Sequence, residues 1–180
     1  MGDGDCGEAV KGVSEEVIKI LNSGGAETGS VLTLLRSIID AVDDMGGTLG
    51  AIFGILLAAF ATSLRANRSK SPSQNPDLTS IFAPSLTSAV ESLKQHTGAR
   101  VGDRTVMDVL IPFQETLEKE RDFGKAVKSA EAAAEGTKDL KPSFGRASYV
   151  GEAKGEEQRL PDPGAWALME MLKGVYDASN

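Results

Sequence analysis

The sequence is poor in several residue types, and each scarcity narrows the classes of protein to which it can belong. It contains a single cysteine, Cys6, so an intrachain disulfide is excluded and a reducing compartment, the cytoplasm, is favoured. Acidic residues outnumber basic ones, which gives a formal net charge of -7, and no basic stripe stands out along the chain. Because such a surface repels a phosphate backbone, we expect no nucleic-acid partner.

Long hydrophobic runs are also missing. The most apolar stretch, residues 49–61, has 13 residues and falls short of the roughly 20 that span a bilayer. The N-terminus has no charged segment followed by an apolar one, and Cys6 stands where a myristoylation motif needs Ser or Thr. We therefore expect no membrane partner.

Every strong periodic pattern in the chain is helical, and no alternating strand pattern appears. Apolar residues three and four apart predict about seven helices, with the run at 49–61 apolar all round, as for a helix surrounded by others. Six of the predicted helices are marked by Val10, Val13, Val17, Ile20 and Leu21; by Val31, Leu34, Leu35, Ile38 and Val42; by Leu86, Val90 and Leu93; by Val106, Leu110, Phe113 and Leu117; by residues 124–140; and by Ala165, Leu168, Met169, Leu172 and Tyr176. We expect a single all-α domain over residues 1–180, an antiparallel up-down bundle or barrel.

Glycine-rich or acidic turns lie between the predicted helices rather than inside them. They are GDGDCG at residues 2–7, MGGTLG at 45–50, GDRT at 102–105, and the pair GRASY at 145–149 and DPGA at 162–165. Alternate turns of an up-down bundle lie at the same end of the bundle. Counting the predicted helices that each turn precedes or joins places all of these turns at one end. Asp162 is also a predicted N-cap, with Pro163 at the first position of the last helix.

An end lined by these turns favours a Mg-nucleotide site. Glycine turns that enter helices expose backbone N–H groups, which attract phosphate. Asp3 and Asp5 would repel a phosphate unless a divalent cation lies between them, and a site of oxygen ligands points to magnesium. Each turn alone has a plainer explanation: a solvated loop for GDGD, a tight helix–helix turn for MGGTLG, a simple helix start for DPGA, and a surface ion pair for Arg146 with Asp162.

Taken together, the turns resemble those of a known family. GDGDCG, MGGTLGAIFG, VGDRTVMDVLIP, AVKSAEAAAEGTKDL, GRASYVG and PDPGA follow the order found in the ATP-binding C-terminal (L-type) domain of single-chain dihydroxyacetone (glycerone) kinases of eukaryotic type. The resemblance covers nearly the whole chain. It implies a barrel of antiparallel helices, eight in the family, with Mg-ATP at one end, and phosphoryl transfer from ATP to dihydroxyacetone in glycerol and triose metabolism.

The resemblance also implies roles for individual residues. Asp3 and Asp5 would hold magnesium, and Cys6 and Gly7 would face phosphate through backbone groups. The other nucleotide-binding residues that it implies are Gly46, Gly47 and Thr48 as a phosphate cradle, Thr97, Gly98, Thr105 and Val106 around adenine, and Arg146, Asp162, Pro163 and Gly164 closing over the nucleotide. No residue is implied as catalytic in its own right, because such a site works by positioning and charge neutralisation.

Several features depart from the family pattern. The helix that precedes GDGD in the family, with a third metal-binding aspartate, would lie before Met1, so we expect one helix fewer and exposed apolar surface on its neighbours. Glu8 and Ala9 stand where relatives commonly carry threonines, and Leu49 replaces a hydroxyl residue of the cradle. These changes leave a second interpretation open, a catalytically weak or inactive helical barrel that acts as a regulatory or interaction protein.

The substrate-binding half of the family has no counterpart in the chain. In the family, dihydroxyacetone is bound through a histidine of a separate kinase domain, and the resemblance implies that such a domain or subunit is the partner. We therefore expect the chain to bind nucleotide but to be inactive as a kinase when alone. A second copy of the chain is a further candidate partner.

Overall fold

The computed structural model of the protein describes residues 5–70, 77–144 and 160–179. Within these ranges every regular element is helical, with seven α-helices and one 3₁₀ turn. The helices are α1 (Cys6–Asn22), α2 (Val31–Asp43), α3 (Gly47–Lys70), α4 (Leu78–Leu93), α5 (Met107–Glu120), α6 (Phe123–Gly136) and α7 (Pro163–Ala178), and the 3₁₀ turn spans Thr137–Asp139. The all-α prediction and the number of helices are confirmed.

The chain divides into two compact units. The N-terminal unit runs from Cys6 to Gln95 and contains α1 to α4, whereas the C-terminal unit runs from His96 onward, contains α5 to α7 and also includes Asp5. A single domain over residues 1–180 therefore stays a prediction.

In the N-terminal unit, α3 packs against both α2 and α4. The core of this unit is centred on Leu35, Leu64 and Ile81, one from each of the three helices. The rings of Phe60 and Phe82 stack beside it with their centroids 5.7 Å apart. Burial of these apolar side chains is the main term that holds the three helices together.

The prediction that α3 is surrounded on all sides is wrong. The helix extends well beyond residues 49–61, over 24 residues, and buries only Gly50, Phe53, Leu56 and Leu64. By length and composition α3 could cross a membrane, although core helices of soluble proteins pass the same test, and only 22% of its most apolar stretch is buried. The argument that the apolar run is too short to span a bilayer therefore does not hold for this helix.

Helix α1 is also less buried than its pattern predicts. Of the predicted stripe only Val13 is buried, and Leu21 is 45% exposed. The helix begins at Cys6, so Cys6 and Gly7 belong to its first turn and not to the turn before it.

The C-terminal unit is built around α5, eight of whose 14 residues are buried. Pro112 lies inside α5 without ending it. Helix α6 presents a face of Ala126, Ala130 and Ala134, none of which is exposed, as expected for residues that allow close packing. Edge-to-face and stacked contacts then link Phe113, Phe123 and Tyr176 across the three helices of this unit.

The start of α7 agrees with its prediction. Asp162 is the N-cap, its carboxylate accepts a hydrogen bond from the Ala165 amide at 2.8 Å, and Pro163 is the first helical residue. Ala165, Leu168 and Met169 form the buried face.

Candidate functional site

The residues predicted to form the site are distributed over both units. Asp3 and Arg146 lie outside the described residues. The N-terminal unit contains Cys6, Gly7, Gly46, Gly47 and Thr48, and the C-terminal unit contains Asp5, Thr97, Gly98, Thr105, Val106, Asp162, Pro163 and Gly164. Their convergence at one end of the fold stays a prediction.

Two glycines determine how the chain enters α3. Gly46 and Gly47 have φ angles of 65° and 64°, in the left-handed region that glycine adopts without a steric penalty. A methyl group added to either would meet no other atom within 4 Å, so the glycines are required by the backbone conformation and not by crowding. Gly46 has no side chain with which to cap α3, whereas Ser30 caps α2 by accepting a hydrogen bond from the Thr33 amide. The first-turn amides of α3 are thus suited to an external acceptor.

The residues near the start of α1 are open to solvent. Asp5 and Gly7 are exposed and Cys6 is half-buried. A side chain at Gly7 would find nothing within 4 Å, so the first turn of α1 has free space beside it. A helix N-terminus with such space can receive an anion.

In the C-terminal unit the segment around Thr97 folds back on itself. The Thr97 hydroxyl accepts a hydrogen bond from the Ala99 amide at 3.2 Å, and its carbonyl accepts one from Arg100 at 2.9 Å. The ring of Phe144 lies 3.4 Å from the position that a Cβ of Gly98 would take. Val106, predicted to contact adenine, is a buried residue at the start of α5.

A buried carboxylate that the sequence analysis missed organises the GDRT turn. Asp108 is 3% exposed, and its two oxygens accept hydrogen bonds from the amides of Gly102 at 2.6 Å and Thr105 at 2.7 Å. The signal for this role is the spacing Thr-x-x-Asp at the start of α5, in which an acid reaches back to the amide three residues earlier, as in a capping box.

Two further buried polar residues, also missed, hold the turn that precedes α7. Thr137 is fully buried, and its hydroxyl accepts a hydrogen bond from the Asp162 amide at 2.8 Å. Arg104 is 8% exposed, and its guanidinium donates to the Leu160 carbonyl at 2.9 Å. Buried polar groups need partners, and this polar network supplies them while fixing the position of Asp162.

Comparison with known proteins identifies the family. A family model described as the DAK2 domain matches residues 1–177. The chain belongs to the DAK2 domain family. The dihydroxyacetone kinase of Komagataella pastoris is 39% identical over 182 residues, which cover 98% of this chain and 30% of that protein. The DAK2 domain therefore spans about 30% of the length of this curated relative.

Solved structures show the same fold. The native dihydroxyacetone kinase of C. freundii superimposes with a TM-score of 0.71 at 24% identity, over 99% of this chain and 29% of that one. The structure of the same enzyme in complex with AMP-PNP and Mg²⁺ gives a TM-score of 0.70, with the same identity and coverage. The all-helical fold of the DAK2 domain is thus shared with a dihydroxyacetone kinase.

The Asp162 carboxyl of the DAK2 domain is perturbed by its surroundings. Burial raises its pKa above the ordinary value, while the Ala165 amide and the Arg104 guanidinium oppose that shift. Because the pKa is higher in the folded state, the contribution of this carboxyl to stability is full below its unfolded pKa and is lost as pH rises through the folded pKa.

Asp162→Asn is expected to remove this pH dependence. Asparagine caps helices about as well as aspartate but does not titrate. Urea denaturation measures the free energy of unfolding of both proteins. The value for the unmodified protein minus the value for the variant should fall as pH rises from about 3 to about 6. Asp122→Asn, at the exposed N-cap of α6, is the control for exchanging Asp for Asn at a cap. A difference that stays constant or rises with pH would contradict the prediction.

Proposed function

We propose that this DAK2 domain is the Mg-ATP-binding (L-type) domain of a cytoplasmic dihydroxyacetone (glycerone) kinase. In this role it presents ATP for transfer of the γ-phosphoryl group to dihydroxyacetone, in glycerol and triose metabolism. Membership of the DAK2 family and the dihydroxyacetone kinases among its relatives support the proposal. The complex of a structural neighbour with AMP-PNP and Mg²⁺ supports ATP and magnesium as the ligands.

The single observation that carries the proposal is the entry to α3. The left-handed pair Gly46 and Gly47 leads into a 24-residue helix without a side-chain cap of its own at Gly46. Backbone amides at such a helix start bind phosphate oxygens, and the open space beside both glycines lets the phosphates approach closely. Thr48, exposed in the first turn, adds a hydroxyl donor. Cys6 and Gly7 would face the phosphates in the same way from the first turn of α1.

The donor set fits magnesium in a nucleotide complex. Within residues 5–70, 77–144 and 160–179, no group of three or more His, Cys, Asp or Glu residues is arranged to hold a metal. Mg²⁺ bound with a nucleotide needs only one or two carboxylates, because phosphate oxygens and waters complete its octahedron. Asp5, together with Asp3, would supply those carboxylates. The metal would neutralise the charge that otherwise keeps these acids and a triphosphate apart.

The remaining proposed residues lie in the C-terminal unit. Thr97, Gly98, Thr105 and Val106 would border adenine, with the buried Val106 contributing through the backbone. Asp162, Pro163 and Gly164 would close over the nucleotide with Arg146.

The other half of the reaction would come from elsewhere. Since the chain spans about 30% of the length of a dihydroxyacetone kinase, a separate substrate-binding domain or subunit is the proposed partner. The DAK2 domain alone should then bind ATP without phosphorylating dihydroxyacetone.

One observation favours a second candidate, a catalytically weak or inactive domain with a regulatory or interaction role. Glu8 lies in the first turn of α1, where its carboxylate would repel a phosphate beside Cys6 and Gly7. Mixing the chain with the substrate-binding subunit of a dihydroxyacetone kinase separates the candidates, because phosphorylation of dihydroxyacetone would exclude an inactive domain.

Calorimetric titration with ATP tests the proposal. Binding is expected in Mg²⁺ buffer and should be lost in EDTA. Gly47→Ala should weaken it by about tenfold, because alanine strains the left-handed conformation that aims the amides at phosphate. Gly136→Ala is the control, since Gly136 has φ -63° and equally open surroundings. A protein that is folded by circular dichroism but gives no Mg²⁺-dependent binding would contradict the proposal.

A further inference from the structure

Arg104 has an unusual backbone conformation for a buried residue. Among the described residues, the two non-glycine residues with positive φ are Arg104 at 58° and Arg121 at 52°. Arg121 is the C-cap that follows α5, and its exposed side chain pairs with Glu118, an ordinary arrangement for a helix C-cap. Arg104 is in the GDRT turn and is 8% exposed. Glycine would adopt this φ without strain, whereas an arginine carries a backbone cost there.

The side chain of Arg104 joins two segments that are far apart in sequence. Its Nη2 donates to the carbonyl of Leu160, 56 residues along the chain, at 2.9 Å. The same guanidinium acts electrostatically on the carboxylate of Asp162. Arg104 therefore contacts the turn that leads directly into Asp162, Pro163 and Gly164.

The turn that carries Arg104 is itself held rigidly. Asp108 accepts hydrogen bonds from the amides of Gly102 and Thr105, on either side of Arg104. The Asp103 carbonyl accepts a further bond from the Ser143 amide at 3.1 Å. A guanidinium projected from so constrained a backbone has little freedom to move, which makes it an effective anchor.

We propose that Arg104 is a positioning residue for the nucleotide, which holds the turn before α7 and, through it, the first residues of α7 (residues 160–164) in the conformation that closes over ATP. This inference rests on the proposed function and assigns Arg104 no contact with the reacting atoms. The Asp162 amide is already bound to Thr137, so the turn is attached at two points, one before Asp162 and one at Asp162 itself. Without the hydrogen bond from Arg104, the hydrogen bond from the Asp162 amide to Thr137 remains, and the turn before it can rotate about that point.

Two substitutions separate positioning from simple stability. Arg104→Ala and Arg104→Gly both remove the guanidinium, but only glycine relieves the left-handed backbone. Arg104→Gly should therefore melt roughly 2–4 °C above Arg104→Ala. Both variants should bind Mg-ATP about tenfold more weakly than the unmodified protein, because each lacks the same charged hydrogen bond. Calorimetry and thermal denaturation on the full chain measure the two quantities.

The outcomes distinguish this inference from the proposed function. Equal losses of affinity in the two variants, despite unequal stability, support positioning. An Arg104→Gly variant that binds Mg-ATP as tightly as the unmodified protein overturns it, because the guanidinium would then be dispensable. Arg121→Ala, at the other left-handed arginine, is the control and should bind normally. If the unmodified folded protein does not bind Mg-ATP, the proposed function fails first and the inference fails with it.

Discussion

Replacing Asp3 and Asp5 together by alanine is expected to abolish Mg²⁺-dependent ATP binding, with an affinity loss of at least about 100-fold. In the proposed site these carboxylates hold the metal that carries the triphosphate, and magnesium bound with nucleotides depends on one or two protein carboxylates. Removing both leaves the cation with only phosphate and water ligands, so the protein no longer binds the metal of the Mg-ATP complex and retains only its contacts with the nucleotide. Calorimetric titration with ATP in excess Mg²⁺ measures the loss.

Asp40→Ala is the matched control for the double variant, because Asp40 is an exposed acid on α2 and has no proposed role. It changes the net charge in the same direction and should bind Mg-ATP as tightly as the unmodified protein. Retention of binding within about threefold by the Asp3, Asp5 double variant would remove these residues from the metal site. Each single variant should fall between the two limits.

Asp108→Ala is expected to destabilise the protein by about 3 kcal/mol, the largest stability effect that we predict. The substitution removes the buried Asp108 carboxylate and with it two hydrogen bonds, and it leaves the partly buried amides of Gly102 and Thr105 without that partner. For a chain of this length, the loss corresponds to a fall in melting temperature of roughly 6–12 °C. Thermal and urea denaturation measure it.

Asp103→Ala provides a graded control in the same turn. Asp103 is half-buried, and its carboxylate accepts a single amide hydrogen bond, from Arg100 at 2.7 Å, so about 1 kcal/mol should be lost. Comparable effects at the two positions would show that the two-amide arrangement of Asp108 has no special importance for this turn.

Local signals account for the parts of the fold that could be predicted. Helical spacing of apolar residues, the apolar run at 49–61 and the alanine-rich stretch at 124–140 together predicted the seven α-helices of the described residues. The Asp162-Pro163 pair located the start of α7, because an N-cap acceptor and a fixed φ act within a few residues. The small residues of α6 predicted a closely packed face, and that face is fully buried.

Burial could not be predicted from the same patterns, because it depends on which elements pack together. An apolar run such as residues 49–61 does not reveal how many neighbours its helix has, and α3 is partly exposed. The apolar stripe on α1 likewise did not predict how much of the helix is buried, since only Val13 is buried. The sequence also placed Cys6 and Gly47 in turns, whereas each begins a helix.

The candidate site shows a similar division. Its glycines and acids were visible as motifs, but the φ angles of Gly46 and Gly47 follow from how α2 is joined to α3. The hydrogen bond from Arg104 to the Leu160 carbonyl joins residues 56 positions apart, so no local sequence pattern could have predicted it. Asp108 is the exception, since its spacing from Thr105 follows a known capping pattern.

The start of α3 has a thermodynamic consequence. The N-termini of helices α2, α4, α6 and α7 are each capped by a side-chain oxygen that accepts a hydrogen bond from a first-turn amide; the capping residues are Ser30, Asp77, Asp122 and Asp162. At α3 a glycine occupies that place. In the proposed function, phosphate oxygens of ATP accept the hydrogen bonds of the first-turn amides of α3 in place of a side-chain cap. Because ATP would then bind the folded chain and not the unfolded one, the free energy of unfolding would rise with the ATP concentration by mass action.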